Sequence, residues 1–488
     1  MTSRPVGLSG LSLYLPPYRV DLQQWCDWTG ADWDKIRQVV GTGFRLLGPQ
    51  QSIYTMAANA VLRLIQNYDV DPARVRYLAL GTESSTDNSA GAVIIKGMVD
   101  DALEGLGLPK LSRNCEVPEF KHACLGGIYG LKNALRFLAT DGDDSVAIVV
   151  SSDKALYERG SSGEPTQGAG AVAMLLSSDP AIATIDLKHS GTASDYRGVD
   201  FRKPLVNRNG TGASPEFVDI PIYNGKYSTS CYVDEMQHAL EDMYRKRGLT
   251  ACEHARGVEA VFMHRPYQRM PETGWGMAYL FALARGGVEE HRELAGYCDE
   301  AGIALDDLLA EISPIPDLTR FAVRERISDE IFPTCLAVLK RFRRTDDFEE
   351  LVRAKLQLGT RGMRELGNLY TAALPAWLAA GLDEARIAGT DLRGKEILLI
   401  GYGSGEAADA IPITMEPGWE RAAEAIDFSS SLLPIIDLTH DQYLGLRDRT
   451  SVSGIKYAPH SEFVIDRVGS EATHKFQDAG IEYYRYIQ

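Results

Sequence analysis

Two apolar stretches, SVAIVVS at Ser145–Ser151 and AVAMLL at Ala171–Leu176, lie on either side of the glycine-rich segment GEPTQGAG at Gly163–Gly170. Both stretches are continuously apolar rather than alternating, which predicts strands of a sheet that is covered on both faces. Similar runs predict further strands at Val75–Gly81, Val258–His264 and Glu396–Gly401. This set of strands is typical of a large, layered sheet.

The segments between these strands have the periodicity of helices. Apolar residues recur at helical spacing at Leu125, Ile128, Leu131, Leu135 and Leu138. Strands alternating with helices predict the α/β class. The charged, helix-periodic segment Val288–Arg344 predicts a helical insertion with a break at Pro314 and Pro316. From about Pro417 onward the pattern is less regular, and DFSSSLL at Asp427–Leu433 predicts a loop.

The composition of the 488-residue chain bounds its partners. The net charge of −16 provides no positive field to collect phosphates, so we expect no nucleic-acid partner. The N-terminus has no apolar signal region, and Pro375 interrupts the longest apolar stretch, Leu369–Leu382, so we expect no membrane span. Seven widely spaced cysteines without a C-x-x-C pair predict a reduced, cytoplasmic protein. Without H-E-x-x-H or similar ligand spacing, we also predict no metal.

Cys124 is the first candidate for chemistry. It precedes two glycines, Gly126 and Gly127, and the predicted amphipathic helix. A cysteine at a helix N-terminus experiences the positive end of the helix dipole, which favours the reactive thiolate. The glycines would allow a substrate or a neighbouring backbone to approach closely. The alternative is a buried core cysteine beside a tightly packed helix.

His264 and Glu83 follow predicted strands. His264 precedes Pro266 in FMHRPYQRM, where it could polarise a carbonyl or transfer a proton, or else be an ordinary core histidine. Glu83, in GTESS, lies where α/β proteins place ligands, although a solvated acid near a helix start is the alternative.

The glycine-rich stretches do not predict a cofactor. In GYGSGE at Gly401–Glu406, an acid occupies the third glycine position of a dinucleotide-binding loop, where it would face the pyrophosphate. The stretch Gly163–Gly170 lacks the Lys-Ser/Thr ending of a Walker phosphate loop and is expected to allow tight backbone packing. We therefore expect no bound cofactor.

Taken together, the motifs resemble the 3-hydroxy-3-methylglutaryl-CoA (HMG-CoA) synthase family of the thiolase superfamily. The motifs that carry the resemblance are GTES at Gly81–Ser84, ACLGG at Ala123–Gly127, the block Ser151–Leu176, DFRKP at Asp200–Pro204, NGKYSTSCY at Asn224–Tyr232, HRPYQR at His264–Arg269, GNLYTAA at Gly367–Ala373 and GYGSG at Gly401–Gly405. They occur in the family's order over most of the chain.

The resemblance implies roles for individual residues. Cys124 matches the nucleophile that accepts an acetyl group, Glu83 the general acid/base, and His264 the residue that polarises the acetoacetyl group. The implied substrate-binding positions are Asp153, Thr166, Asp200, Arg269, Asn368, Tyr370 and Ser404. Backbone N–H groups of Cys124 and of the Gly403–Gly405 turn are candidate donors to the enolate oxygen.

The implied reaction condenses acetyl-CoA with acetoacetyl-CoA and water to give HMG-CoA and CoA through an acetyl-cysteine intermediate. Departures from the family pattern include Leu125 after the nucleophile, Met263, Lys154 and Glu406. They leave open another β-ketoacyl thioester, or an acyl carrier protein in place of CoA, as in polyketide β-branching. Basic residues Lys121, Arg265 and Arg269 could serve either CoA or a carrier. A catalytically silent scaffold is the third alternative, against which the intact residue set argues.

The resemblance also implies a thiolase fold with two similar halves stacked in five layers, helix–sheet–helix–sheet–helix. We place the first half at residues 1–177 and the second at residues 178–488, with the helical insertion at about 288–344. Family members are dimers, so we expect a homodimer.

Overall fold

The computed structural model describes residues 5–85, 87–197, 200, 202–203, 220–222, 224–313, 318, 329–450 and 452–488. Among these, the strands are β1 Gly7–Tyr14, β2 Tyr18–Asp21, β3 Gly43–Leu46, β4 Val75–Gly81, β5 Glu119–Phe120, β6 Val146–Ala155, β7 Gly168–Ser177, β8 Ala183–Ile185, β9 Gly191–Ser194, β10 Ala260–Met263, β11 Glu396–Gly403, β12 Ala407–Met415, β13 Ile436–Asp437, β14 Glu462–Val468 and β15 Glu482–Ile487.

The α-helices of five or more residues in the described ranges are α1 Leu22–Thr29, α2 Trp33–Val39, α3 Ile53–Asn67, α4 Gly91–Gly105, α5 Gly126–Thr140, α6 Lys226–Arg247, α7 Ala251–Gly257, α8 Arg269–Ala284, α9 Val288–Ala301, α10 Leu305–Ile312, α11 Pro333–Phe342, α12 Ala373–Ala388, α13 Trp419–Ala423 and α14 His440–Arg447. None of the described helices is both long and apolar enough to cross a bilayer.

Among the described residues, ten strands form one continuous sheet. Its order is β10-β11-β12-β8-β1-β7-β6-β4-β5, with β9 also paired to β12. The strands β4, β5 and β6 are parallel to one another, and so are β10 and β11. The short strand β8 joins the two halves, because it pairs with β1 on one side and with β12 on the other.

Helices α5 and α12 lie between the two halves of the sheet. A small apolar cavity of about 20 Å³ marks where these layers meet. Its lining comes from both halves and both helices: Leu8, Ile128, Leu131, Met174, Ile185, Leu374, Pro375, Leu378, Leu399 and Ile413. Helices α3 and α4 pack on the outer face of the first half. Helices α6 and α8 pack on the outer side of the second half. The α/β class and the thiolase-like five layers are therefore confirmed.

The predicted strands are present, with small differences in their ends. Strand β4 matches the prediction, whereas β6, β7 and β11 extend beyond their predicted apolar cores and β10 is shorter. Pro375 lies in the first turn of α12, where its missing N–H leaves no hydrogen bond unmade, so it does not break that helix.

Two expectations about the C-terminal part need correction or refinement. The segment predicted as a loop contains a helical turn at Phe428–Ser431, because the Asp427 side chain accepts a hydrogen bond from the backbone N–H of Ser430. The tail is more regular than expected, since β13 pairs with β2 and β14 pairs with β15. Helices α9, α10 and α11 occupy the predicted insertion, whereas Pro314 and Pro316 lie outside the described residues. The division between residues 177 and 178 stays a prediction.

Candidate active site

The structure brings Cys124 and Glu83 into contact. Cys124 Sγ lies 3.5 Å from Glu83 Oε2. Glu83 follows the end of β4, and Cys124 precedes α5. The two segments meet because the glycines allow it: a Cβ added to Gly81 would lie 2.3 Å from Gly127 Cα. The close backbone approach expected from the ACLGG motif is therefore present, and it joins the end of β4 to the start of α5.

The Cys124 thiol is held in its protonated form. Burial raises its pKa well above the usual value, and the neighbouring carboxylates of Glu83 and Asp153 raise it further. The expectation that the helix dipole favours a thiolate is therefore wrong for this site. Helix α5 begins only at Gly126, and burial together with the two acids favours the neutral thiol. A proton acceptor must take the thiol proton when the sulfur attacks, and Glu83 lies within reach.

Asp153 organises the residues around Glu83. It is fully buried in β6, and its Oδ1 accepts hydrogen bonds from the backbone N–H of Glu83 at 2.9 Å and from Thr82 Oγ1 at 2.9 Å. The hydroxyl of Ser84 also donates to Oδ1, at 2.7 Å, and the backbone N–H of Thr371 donates to Oδ2 at 3.1 Å. Asp153 thereby fixes the turn that carries Glu83. A direct contact between Asp153 and substrate stays a prediction.

A wall of two tyrosines packs beside the thiol. Cys124 contacts the buried cluster that contains Tyr157 and Tyr370, whose rings meet edge to face at 6.3 Å. Asn368 Nδ2 donates to the Tyr157 hydroxyl at 3.2 Å, and Asn368 Oδ1 accepts from the Tyr370 backbone N–H at 2.9 Å. Thr166 lies behind this wall, since its carbonyl accepts the backbone N–H of Asn368 at 2.9 Å. The three predicted residues Thr166, Asn368 and Tyr370 are therefore neighbours.

His264 reaches the same region from the second half. It follows β10, and its backbone N–H donates to the Ile400 carbonyl of β11 at 2.8 Å. The end of β11 abuts the nucleophile segment: a Cβ on Gly403 would lie 2.9 Å from the Leu125 backbone N. His264 is thus one strand away from the Cys124 turn. Burial lowers its pKa to about 3, so its imidazole is neutral near pH 7. A neutral imidazole can donate a hydrogen bond to a ketone oxygen.

Helix α6 supports His264 from behind. The Tyr232 hydroxyl donates to the His264 carbonyl at 3.1 Å, and its ring packs against Tyr402 with centroids 4.9 Å apart. The Tyr402 ring in turn stacks on His264 at 6.1 Å. Asp200, predicted to bind substrate, lies in this supporting layer, where it accepts a hydrogen bond from the Ser228 hydroxyl. Its substrate contact stays a prediction.

Ser404 lies in the turn between β11 and β12, at intermediate exposure. The next backbone N–H, that of Gly405, donates to Glu406 Oε1 at 2.8 Å. This bond removes the Gly405 N–H from the candidate donors to an enolate oxygen. Within the Gly403–Gly405 turn, the N–H of Ser404 becomes the donor that we favour.

Arg269 begins α8 and lines a basic surface cavity of about 460 Å³. Its other lining residues are Arg37, Gln38, Gln268, Glu272, Arg353 and Arg364. The cavity is lined by four guanidinium groups and one carboxylate, so its net charge is positive and suits the binding of phosphate groups. Arg269 therefore lies apart from the Cys124 wall, at a place suited to the phosphate end of a long substrate.

Two residues near the thiol were not singled out from the sequence. Tyr157 lies inside the block Ser151–Leu176, which carried the resemblance without pointing to any one aromatic residue. Lys203, in DFRKP, donates from Nζ to the Glu83 carbonyl at 3.0 Å and lies 3.9 Å from Glu83 Oε1. The sequence showed only that Lys203 is a basic residue within the DFRKP motif. Its contact with Glu83 is seen only in the folded structure.

A cysteine thus lies beside a glutamate, and a buried histidine comes from the other half of a layered, thiolase-like α/β fold. Residues 2–181 match the family model described as hydroxymethylglutaryl-coenzyme A synthase N terminal. The N-terminal part of the chain is therefore similar to the HMG-CoA synthase family.

Relatives and solved structures with the same family name are similar to this chain over most of its length. A hydroxymethylglutaryl-CoA synthase of Haloferax volcanii is 28% identical over 82% of this chain and 80% of its own length. A hydroxymethylglutaryl-CoA synthase of Enterococcus faecalis is 26% identical over 85% of this chain and 84% of its own length. The structure of MvaS in complex with 3-hydroxy-3-methylglutaryl coenzyme A has a TM-score of 0.76 at 24% identity and covers both chains completely. The curacin biosynthetic pathway HMG synthase in complex with acetyl donor-ACP has a TM-score of 0.69 at 19% identity, covering 99% of this chain and 100% of that one.

Proposed function

We propose that this protein condenses acetyl-CoA with acetoacetyl-CoA and water to give HMG-CoA and CoA. The observation that carries the proposal is the 3.5 Å contact between Cys124 Sγ and Glu83 Oε2, one strand away from a buried, neutral His264. A thiol and a carboxyl group in contact can first accept an acyl group and then handle the protons of its methyl group.

In the first step, the sulfur of Cys124 attacks the carbonyl carbon of acetyl-CoA. The thiol proton passes to Glu83 and the bond to the CoA sulfur breaks. Glu83 then gives that proton to the CoA sulfur, so CoA leaves as a thiol and Glu83 is a carboxylate again. The protonated resting state of Cys124 makes this transfer necessary, because a thiol is a much weaker nucleophile than a thiolate. Tyr157 and Tyr370 form the wall against which the two-carbon unit would lie.

In the second step, the carboxylate of Glu83 removes a proton from the acetyl methyl group. The resulting enolate carbon attacks the ketone carbon of acetoacetyl-CoA, and a new carbon–carbon bond forms. The neutral imidazole of His264 donates a hydrogen bond to the ketone oxygen, and this oxygen takes up the proton that Glu83 removed from the methyl group. Water then cleaves the thioester to Cys124 and frees the product.

The basic cavity favours CoA as the carrier of the acyl groups. Arg37, Arg269, Arg353 and Arg364 converge on about 460 Å³, which matches the several phosphate charges of CoA. The phosphopantetheine of an acyl carrier protein has one phosphate, and would use fewer of these arginines. Acceptance of a carrier protein, or of another β-ketoacyl thioester, is therefore the alternative to test.

The central experiment is intact-mass analysis after mixing with acetyl-CoA. We expect one added acetyl group on the wild type and none on Cys124→Ala. Cys115→Ala is the matched control, since Cys115 is a free and partly exposed cysteine outside the ACLGG motif. We expect Glu83→Ala to lose product formation. Acetylation of Cys124→Ala, or normal turnover by Glu83→Ala, would contradict the proposal.

A second experiment compares acetoacetyl-CoA with acetoacetyl carrier protein as acceptor. We expect the wild type to turn over faster with the CoA ester. In Arg269→Ala, the KM for the CoA ester should rise about 10-fold while kcat changes little, because the lost contact is to a phosphate distant from the reacting atoms. Exclusive use of the carrier protein would overturn the choice of CoA.

We propose further that the protein acts as a cytoplasmic homodimer. The family resemblance supports the dimer, and seven free cysteines support a reducing compartment. Light scattering should give twice the 53.6 kDa mass of one chain. A monomer at assay concentration would contradict the dimer.

A further inference from the structure

A buried pair of acidic residues lies behind His264. Glu406 directly follows the Ser404 turn and is 2% exposed, and Asp200 is completely buried. A carboxylate oxygen of each, together with Cys231 Sγ, lies within 4.8 Å of the others. Glu406 is one of the positions where the chain departs from the family pattern. Two acids so close and so deeply buried need a physical explanation.

One oxygen of each acid is already used. Glu406 Oε1 accepts the backbone N–H of Gly405 at 2.8 Å, and Asp200 Oδ1 accepts the Ser228 hydroxyl. Among the described residues, the other oxygens, Glu406 Oε2 and Asp200 Oδ2, are buried without a hydrogen bond of ordinary geometry, although the Tyr402 side chain faces both acids. Two ionised carboxylates offer only acceptors, so neither can satisfy the other. A single proton between them would turn both unpartnered oxygens into a hydrogen bond.

The surroundings assign that proton to Glu406. Burial and the neighbouring Asp200 raise the pKa of Glu406 well above its usual value. Burial raises the pKa of Asp200 as well, but the hydrogen bond from Ser228 and the guanidinium of Arg197 oppose that rise, so Asp200 is the better candidate for the charge. The titratable or charged groups around the pair are Arg197, Tyr227, Cys231 and Tyr402. Arg197 is itself paired with Asp234, Asp195 and Glu235.

The pair touches two parts of the active site. Through Gly405, Glu406 holds the turn that presents Ser404. On its other side lies the Tyr402 side chain, whose ring stacks on His264 with centroids 6.1 Å apart. A displaced Glu406 would therefore disturb both the turn and the support of His264, while Cys124 and Glu83 on the opposite wall keep their own contacts.

We propose that Glu406 is a positioning residue that works in its protonated form, donating a hydrogen bond to Asp200 while accepting one from Gly405. It thereby fixes the Ser404 turn and the Tyr402–His264 stack for the condensation step. This inference rests on the proposed function for its kinetic consequences, but the protonation itself does not.

The kinetic test compares Glu406→Gln with Glu406→Leu. The glutamine can accept from Gly405 through its carbonyl and donate to Asp200 through its amide, as the protonated acid does. We expect condensation within about threefold of the wild type in Glu406→Gln and about 10- to 100-fold slower in Glu406→Leu, as for a small misplacement of reacting groups. Acetylation of Cys124, followed by mass, should stay within about threefold in both.

Two outcomes would overturn the proposal. One is equal damage by both substitutions, and the other is parallel loss of acetylation and condensation in Glu406→Leu. Failure of the wild type to become acetylated would instead reject the proposed function and leave the protonation open to its own test.

That independent test is infrared spectroscopy of the full chain at neutral pH. The difference spectrum between wild type and Glu406→Gln should contain the carbonyl band of a protonated carboxyl group. A band of an ionised carboxylate in its place would overturn the proposal. Elemental analysis gives a second check: a stoichiometric metal ion that is lost in Glu406→Gln would also overturn it, because a cation would then occupy the place of the proton.

Discussion

At the nucleophile, charge and burial oppose the formation of a thiolate. The carboxylate of Glu83 is 3.5 Å from Cys124 Sγ and raises the pKa of the thiol, whereas the ammonium group of Lys203 lowers it. The resting enzyme therefore keeps an unreactive thiol. This arrangement protects Cys124 until a substrate arrives and Glu83 takes the proton.

Glu83→Gln should make Cys124 more reactive toward iodoacetamide, although it should impair turnover. Removing the negative charge lowers the thiol pKa and so increases the thiolate fraction at a given pH. Alkylation rates at pH 8, measured by peptide mass, would report it. Cys115 in the same sample is the internal control, and a slower or unchanged rate at Cys124 would contradict the prediction.

His264 should make the protein sensitive to mild acid. Its pKa is lowered to about 3 in the fold, whereas a free imidazole protonates near its usual value of 6.5. Between these values the unfolded chain binds the extra proton, so stability falls as the pH falls. From pH 7 to pH 5, protonation of this residue in the unfolded chain lowers the free energy of unfolding by about 2 kcal/mol, at ~1.36 kcal/mol per pH unit.

Urea unfolding at pH 7 and pH 5 measures this effect. His264→Asn should lose less free energy of unfolding across that interval than the wild type does. The exposed His474 is the matched control, and His474→Asn should behave like the wild type. An unchanged pH dependence in His264→Asn would show that the histidine is not buried in its neutral form.

At the scale of elements, helix α5 is held to both halves of the sheet. Its glycine end packs on β4, and its Lys132 forms a buried ion pair with Asp409 of β12. Lys132 and Asp409 are both buried in the protein. Because burial disfavours the charge on Asp409 and Lys132 offsets that effect, the aspartate depends on its partner.

Lys132→Met should destabilise the protein by about 3 to 5 kcal/mol, since it leaves a buried charge without its partner. The double substitution Lys132→Met with Asp409→Leu should recover most of that loss, because it removes both charges. Chemical denaturation of the two variants measures the difference. Arg393→Met removes one end of an exposed ion pair and should have little effect. A double variant as unstable as the single one would argue against this account.

At the scale of the whole molecule, the two halves share one continuous sheet and a common helical layer. Strand β8 bridges β1 and β12, and α5 and α12 have apolar neighbours from both halves. Neither half has a complete core of its own. We therefore expect the full chain to unfold in a single cooperative transition.

A fragment of residues 1–177 should not fold alone, although the sequence boundary lies at its end. It lacks β11 and β12, so the side of α5 that packs on them, including Leu125 and Ile128, would be exposed to water. Circular dichroism during heating would distinguish the cases. A cooperative transition of the isolated fragment would show that the two halves are separable domains.

The sequence by itself determined the fold class, and through the family resemblance it predicted Glu83, Cys124 and His264 as the central residues. Continuous apolar strands are local signals, and so is the double glycine after Cys124, because each depends only on neighbours along the chain. The motifs around Glu83 and His264 carry the resemblance to the HMG-CoA synthase family.

Only the tertiary structure decided the charge states and supporting contacts. The protonated thiol of Cys124, the neutral ring of His264 and the pairing of Asp200 with Glu406 depend on burial and on groups far away in the sequence. Helical position alone predicted a thiolate at Cys124, and the fold reversed that prediction by burying the sulfur and placing Glu83 beside it. A pKa depends on the surrounding solvent and charges, which exist only once the chain has folded.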